Sequence, residues 1–148
     1  MSVLDTPVGQ ELSPLVKPPI VQEQLRRYAQ ASGDYNPIHL DEEAARSVGL
    51  DSVIAHGMLS MAFLGQYISA QIAAIPDARI ASFKVRYVAM VRLGDMLTCL
   101  GVVRERSGDS SSVQATITID CWAQNQRGEK DTLGEAEVVV PLAQAARV

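Results

Sequence analysis

Residues 28–61 read YAQASGDYNPIHLDEEAARSVGLDSVIAHGMLSM, and the rest of the chain is organised around this stretch. Pro37 lacks an N–H and disrupts the interior of a helix, and Gly33 is the residue type that ends helices in a left-handed cap. The pattern therefore predicts a tight loop between two helices. Asp34 and His39 lie five residues apart in that loop, which can point both side chains into one cleft.

A carboxylate and an imidazole in one cleft can share a water molecule. One group accepts a proton from the water, and the other positions the water or later donates a proton. Plainer interpretations exist for each residue alone: Asp34 is of a type that hydrogen-bonds its own backbone in turns, and His39 is of a type that is often buried with its nitrogens satisfied. A functional interpretation therefore depends on the whole string.

The string Ser32-Gly33-Asp34-Tyr35-Asn36-Pro37-Ile38-His39 is followed, seventeen residues after His39, by His56-Gly57-Met58. This combination resembles the signature of the MaoC-like, R-specific enoyl-CoA hydratase family, Ser-Gly-Asp-x-Asn-Pro-x-His and then His-Gly-Met, at every fixed position. The resemblance continues at lower specificity through most of the chain. One departure concerns the pocket edge: the family often has a proline shortly before the Gly94-Asp95 turn, and residues 90–93 here read MVRL.

The resemblance implies a reaction, the reversible syn addition of water to a trans-2-enoyl thioester, which gives the (3R)-3-hydroxyacyl thioester. Asp34 and His39 would hold the water against C3, with Asp34 as the base; which of the two carries each proton stays open. The backbone N–H of Gly57 is the candidate donor to the enolate oxygen, because helix starts offer unpaired N–H groups and a favourable dipole.

Four further residues are predicted to bind substrate or support the site. Asn36 would fix the loop through its side-chain amide, and His56 would shape the turn before the long helix. Met58 would pack in the core or border an acyl pocket. Ser60 would hydrogen-bond near the site.

The secondary structure follows from hydrophobic periodicity. Helical spacing from residue 20 to residue 33 and over 42–48 precedes the most apolar segment, residues 57–74, whose polar interruptions and length favour a buried central helix over a membrane span. Alternation then predicts strands within 80–91, 96–104, 113–124 and 133–141, with Tyr87 on the apolar face of its strand and Val113 facing inward.

Helices before strands favour an α+β arrangement. The resemblance implies the hot-dog fold, a curved antiparallel sheet wrapped around a long central helix, in a family that is usually dimeric. We expect one MaoC-like hot-dog domain over residues 1–148, with a lead-in over 1–19 and a loose tail over 143–148.

Composition excludes several classes of function. With a net charge of −4, the chain shows no excess of basic residues of the kind that binds nucleic acid or an anionic membrane. The first ten residues lack the apolar core of a signal sequence, so we expect a cytoplasmic protein. Cys99 and Cys121 are expected to be buried thiols rather than a disulfide. The sequence contains no Cys/His ligand cluster, so no structural zinc site is expected. We expect no metal and no cofactor.

The substrate and partners stay partly open. Coenzyme A and acyl carrier protein both present phosphopantetheine, and four basic residues are either phosphate contacts or a solvated strand face: Lys84, Arg86, Arg92 and Arg104. A homodimer is expected, or a heterodimer with a second hot-dog subunit. Two alternatives to an active hydratase stand: a non-catalytic or partner-dependent subunit, and a hot-dog thioesterase.

Overall fold

A computed structural model describes residues 2–109 and 111–142, so the predicted tail lies outside the described residues. Three α-helices precede four long strands, as the sequence predicts; a 3₁₀ turn lies in the predicted loop, and a short strand comes first. In chain order the elements are β1 (Leu15–Val16), α1 (Gln22–Ser32), a 3₁₀ turn (Pro37–His39), α2 (Glu42–Ser47), α3 (Gly57–Ile72), β2 (Arg79–Tyr87), β3 (Thr98–Ser107), β4 (Gln114–Gln124) and β5 (Lys130–Pro141).

The strands form one antiparallel sheet in the order β1-β3-β4-β5-β2. Helix α3 packs against β2, β3, β4 and β5, and its residues Leu64, Tyr67 and Ile68 are fully buried. This arrangement confirms the predicted curved sheet around a long apolar helix. None of the helices in the described part of the chain is long and apolar enough to cross a membrane.

The strand predictions were wrong at two places, for local reasons. Strand β2 ends at Tyr87, which is 46% exposed, because the chain then leaves the sheet: the N–H groups of Val88 and Ala89 both donate to the Asp131 carbonyl, at 2.8 and 3.2 Å. Val113 is 61% exposed because it precedes the first ladder pair of β4 and lies in the hairpin connection.

The lead-in segment packs along the edge of β3, as expected. The Gly9 N–H donates to the Val103 carbonyl and the Leu12 N–H to the Gly101 carbonyl, and β1 continues this edge pairing. Cys99 and Cys121 are free and buried, which confirms that they form no disulfide. Burial raises the pKa of each thiol to about 12, so both remain protonated near neutral pH.

Two half-buried glycines, Gly65 and Gly134, make a matched pair for a stability test. A Cβ at Gly134 would lie 2.8 Å from the Cys121 sulfur, whereas a Cβ at Gly65 would meet only the Phe83 ring, at 3.6 Å. We expect Gly134→Ala to lower the free energy of unfolding by about 1–3 kcal/mol through overpacking, and Gly65→Ala to raise it by roughly 0.5–1 kcal/mol through helix propensity. Urea unfolding measures both, and equal effects of the two substitutions would contradict the packing described.

Candidate functional site

The loop after α1 is held by its own side chains. Gly33 ends α1 with φ 76°, and its N–H donates to the Ala29 carbonyl. Asp34 Oδ1 accepts the Asn36 N–H at 3.1 Å, and Asn36 Oδ1 accepts the Ile38 N–H at 3.2 Å. These two bonds, with the fixed φ of Pro37, lead the chain into the 3₁₀ turn that presents His39.

His39 is buried beside the Asp34 carboxylate. Its Nδ1 lies 2.7 Å from the Ile54 carbonyl oxygen; because a carbonyl only accepts, Nδ1 carries a proton and the neutral ring has its lone pair on Nε2. That nitrogen lies 3.9 Å from Asp34 Oδ2, whose side chain is about half exposed. Two acceptors therefore face each other across a gap too long for a direct hydrogen bond.

His56 connects this loop to the start of α3. Its Nε2 donates to the Asp34 carbonyl at 3.0 Å. Its ring stacks on His39 with centroids 4.0 Å apart and lies 4.8 Å from the ring of Tyr28. His56 is 1% exposed, and Nδ1 has no hydrogen-bond partner among the described residues. Burial lowers the pKa of His56, and the bond to the Asp34 carbonyl opposes that shift.

We expect His56→Phe to lower the free energy of unfolding by about 1–3 kcal/mol near neutral pH, because the Asp34 carbonyl loses a buried donor. The folded-state pKa of His56 lies below the ordinary 6.5, so the unfolded chain binds more protons. The stability from neutral His56 is therefore present above pH 6.5 and is lost as pH falls through 6.5 toward the folded-state pKa.

Urea unfolding of both proteins at pH 7.5 and at pH 5.5 tests this expectation. The wild-type protein should lose more stability than His56→Phe between the two pH values. Parallel losses would show that His56 does not supply this pH dependence.

A cavity of about 190 Å³ lies against these groups. It is lined by His39, Ile54, Ala55, Gly57, Ser60, Tyr87, Ala89, Met90, Val91 and Thr132. Gly57 is the first residue of α3, where an α-helix has no intrahelical acceptor for the N–H. The structure therefore places an imidazole and a free helix start on one small cavity.

The predicted site residues are not all in the cavity wall. His39, Gly57 and Ser60 line it, and Asp34 lies beside His39. Asn36 and His56 hold the loop from behind. Met58 is 62% exposed and does not line the cavity. It therefore lies neither in the core nor at the pocket border of this chain, the two positions predicted for it.

Sequence reasoning missed one wall of the cavity. Residues 89–91 were assigned to a regular strand, and Thr132 was left just ahead of the last predicted strand, yet these residues line the cavity because β2 ends at Tyr87 and β5 begins at Lys130. The available signal was the polar pair Asp131-Thr132 directly ahead of the predicted strand.

Three side chains of the site have metal-ligand atoms within 4.8 Å of one another: Asp34, His39 and His56. In each histidine ring, one nitrogen already hydrogen-bonds a backbone carbonyl. The rings are stacked with planes only 27° apart, so their in-plane lone pairs do not converge on one centre. The arrangement suits proton transfer better than metal coordination.

Most of the basic residues considered as phosphate contacts are paired with carboxylates. Arg104 bonds Asp120 and Glu135 at 2.8 Å each, Lys84 lies 3.9 Å from Glu135 and Arg92 lies 3.7 Å from Asp51. These contacts favour the solvated-face interpretation.

Comparison with known proteins assigns the chain to a family. The family model described as MaoC like domain matches residues 3–123. The chain belongs to the MaoC-like domain family. The match covers the loop that carries Asp34 and His39, the whole of α3 and strands β1 to β3, together with most of β4.

Individual proteins similar to this MaoC-like chain include two curated relatives. It is 29% identical over 126 residues to the (R)-specific enoyl-CoA hydratase of Rhodospirillum rubrum, covering 82% of this chain and 81% of the relative. It is 35% identical over 82 residues to the mitochondrial 3-hydroxyacyl-[acyl-carrier-protein] dehydratase of Arabidopsis thaliana. That match covers 55% of this chain but only 46% of the relative.

A solved structure is also similar to this MaoC-like chain. The unliganded R-hydratase PhaJ1 from Pseudomonas aeruginosa shares 31% identity, with a TM-score of 0.72 over 93% of this chain and 84% of that one. The predicted family and the hot-dog fold are therefore both confirmed.

Proposed function

We propose that this chain catalyses the reversible hydration of a trans-2-enoyl thioester to the (3R)-3-hydroxyacyl thioester. The observation that carries the proposal is the pair of facing acceptors, Asp34 Oδ2 and His39 Nε2, 3.9 Å apart beside the cavity that Gly57 lines. A water molecule has two protons and can donate one to each acceptor, with each heavy-atom distance at about 2.8 Å.

A water held in this way has its oxygen lone pairs free for attack on C3 of the enoyl group. Asp34 takes one proton as the C3–O bond forms, and it returns the same proton to C2. The hydroxyl and the hydrogen are then added on one face, and the carboxylate is regenerated. His39 keeps the second hydrogen bond and so fixes the direction of attack; its own tautomer is held by the Ile54 carbonyl.

Negative charge develops on the thioester oxygen when C3 is attacked. The Gly57 N–H at the start of α3 is the proposed donor to this oxygen, aided by the helix dipole. Glycine also lets the substrate approach the backbone closely. The R configuration is supported by the (R)-specific enoyl-CoA hydratase among the relatives.

The substrate carrier is coenzyme A or acyl carrier protein, since relatives of both names match the chain. We also propose that a second subunit, a copy of this chain or another hot-dog subunit, covers the open side of the cavity. Tyr87 and Met90 line that side and are 46% and 53% exposed, which is unusual for large apolar side chains beside a substrate cavity.

The test is to mix the purified chain with crotonyl-CoA and to follow loss of the conjugated double bond, with a thiol reagent in a parallel sample. We expect loss of the double bond without free thiol, and a 3R product. Thiol release would replace the proposal by a thioesterase. Activity that appears only with a co-purified subunit would make the chain partner-dependent.

A further inference from the structure

Asp131 lies at the second position of β5, where the register of the sheet breaks. Thr132 pairs with Ala123 and Lys130 with Gln124, so Asp131 has no partner on β4. An extra residue of this kind is a β-bulge, which re-aims a side chain. Asp131 and Thr132 are consequently both buried, at 3% and 1% exposure, although successive residues of a regular strand face opposite sides.

The Asp131 carboxyl accepts the hydroxyl proton of the neighbouring threonine. Thr132 Oγ1 donates to Oδ1 at 2.8 Å. The other oxygen, Oδ2, is buried beyond hydrogen-bond distance of the described groups. Burial raises the pKa of Asp131, and the hydrogen bond from Thr132 opposes that rise. A buried carboxyl with an unfilled oxygen destabilises a fold, which makes this one a candidate for function.

Ser60 and Thr132 also line the cavity that holds His39 and Gly57. A hydroxyl has one proton, so a hydroxyl that donates to Asp131 presents only lone pairs to the cavity. Ser60 and Thr132 are buried, whereas Tyr87 on the open side is about half exposed. An acyl chain whose carrier stays in solvent therefore meets a hydrogen-bond acceptor, Thr132 Oγ1, at the buried end of the cavity.

Building on the proposed hydratase function, we propose that Asp131 determines specificity, by selecting 2-enoyl thioesters whose short acyl chain ends in a hydroxyl group. The hydroxyl donates to the Thr132 oxygen. An alkyl chain of the same length covers this oxygen without replacing the water that it loses, and a site built to bond a substrate hydroxyl strongly rejects such an analogue. The volume of about 190 Å³ keeps the chain short.

The experiment compares kcat/KM for 5-hydroxy-trans-2-pentenoyl-CoA and trans-2-pentenoyl-CoA, with crotonyl-CoA as the reference substrate. We expect the wild-type protein to prefer the hydroxylated substrate by at least about tenfold. In Asp131→Asn, the amide donates to one hydroxyl, which turns its own proton into the cavity. The preference should then fall to near unity.

Two further variants make the comparison specific. Asp120→Asn removes a carboxylate from the same sheet, but one that is exposed and paired with Arg104, and it should keep the wild-type preference. Thr132→Val removes the accepting oxygen with little change of shape, so it should weaken the preference even if Asp131→Asn folds poorly. A merely structural effect would lower kcat/KM for both pentenoyl substrates equally and leave their ratio unchanged.

Each outcome has a separate meaning. Hydration of crotonyl-CoA without any preference between the pentenoyl substrates would overturn this inference and leave the hydratase proposal standing. A preference that persists in both Asp131→Asn and Thr132→Val would overturn the role of Asp131. No hydration of any of the three substrates would overturn the proposed function, and this inference with it.

Discussion

Asp34→Asn is expected to lower kcat for hydration of crotonyl-CoA by about 10²-fold or more, and His39→Ala by a similar factor, in line with the usual size of general acid–base effects. The amide of Asn has no basic oxygen to receive a proton from water. Alanine at position 39 removes the Nε2 acceptor and frees the second O–H bond of the water, so the attack on C3 loses its direction.

Asp41→Asn is the matched control for the carboxylate. Asp41 Oδ1 caps α2 by accepting the Ala44 N–H at 2.8 Å, and asparagine caps helices equally well. This variant should retain wild-type kcat, and thermal unfolding should show all three variants folded. Rates near wild type in both Asp34→Asn and His39→Ala would refute the assignment of the pair.

Gly57→Pro is expected to lower kcat by about 10²–10³-fold, the usual loss when one oxyanion donor is removed. Proline is accepted at the first position of a helix. The preceding residue, His56, has φ −59° and ψ 132°, which is the extended geometry that a residue before proline adopts. The substitution therefore deletes the proposed donor while the start of α3 is retained.

Gly57→Ala separates the lost N–H from the added side-chain bulk. Its Cβ would lie 3.3 Å from Cε1 of Tyr87, and the half-exposed Tyr87 ring has room to shift. Because alanine keeps the N–H, its loss of kcat should be far smaller than that of proline. Equal losses in the two variants would show that crowding, not a missing donor, accounts for the effect.

The loop and the central helix were predictable because their causes are local. Gly33, Asn36 and Pro37 determine the backbone geometry of the loop by their own chemistry. The apolar sequence of α3 predicts a buried helix without any knowledge of what packs against it. The His39 tautomer was not predictable, because the Ile54 carbonyl that fixes it lies fifteen residues away and reaches the ring only after the chain has folded back.

The wall opposite the loop was missed for a related reason. Alternation alone continues β2 to residue 91, but the Asp131 carbonyl captures two N–H groups just after Tyr87 and turns the chain out of the sheet. Asp131 in turn does not follow the two-residue alternation of side chains in a strand, because it lies in a β-bulge. Both departures depend on contacts between strands far apart in sequence, and no local propensity encodes them.

The two borders of the sheet differ in their capacity to add strands. The lead-in segment occupies one border through β1, which has only two residues and is flanked by Pro14 and Pro18, so little remains there for another chain to pair with. Growth of the sheet is thereby confined to the border formed by β2. When two copies pair through their β2 strands, each uses the same surface, and neither β2 border stays free. The assembly then stops at two chains. The lead-in segment blocks the other border and so prevents open-ended polymerisation.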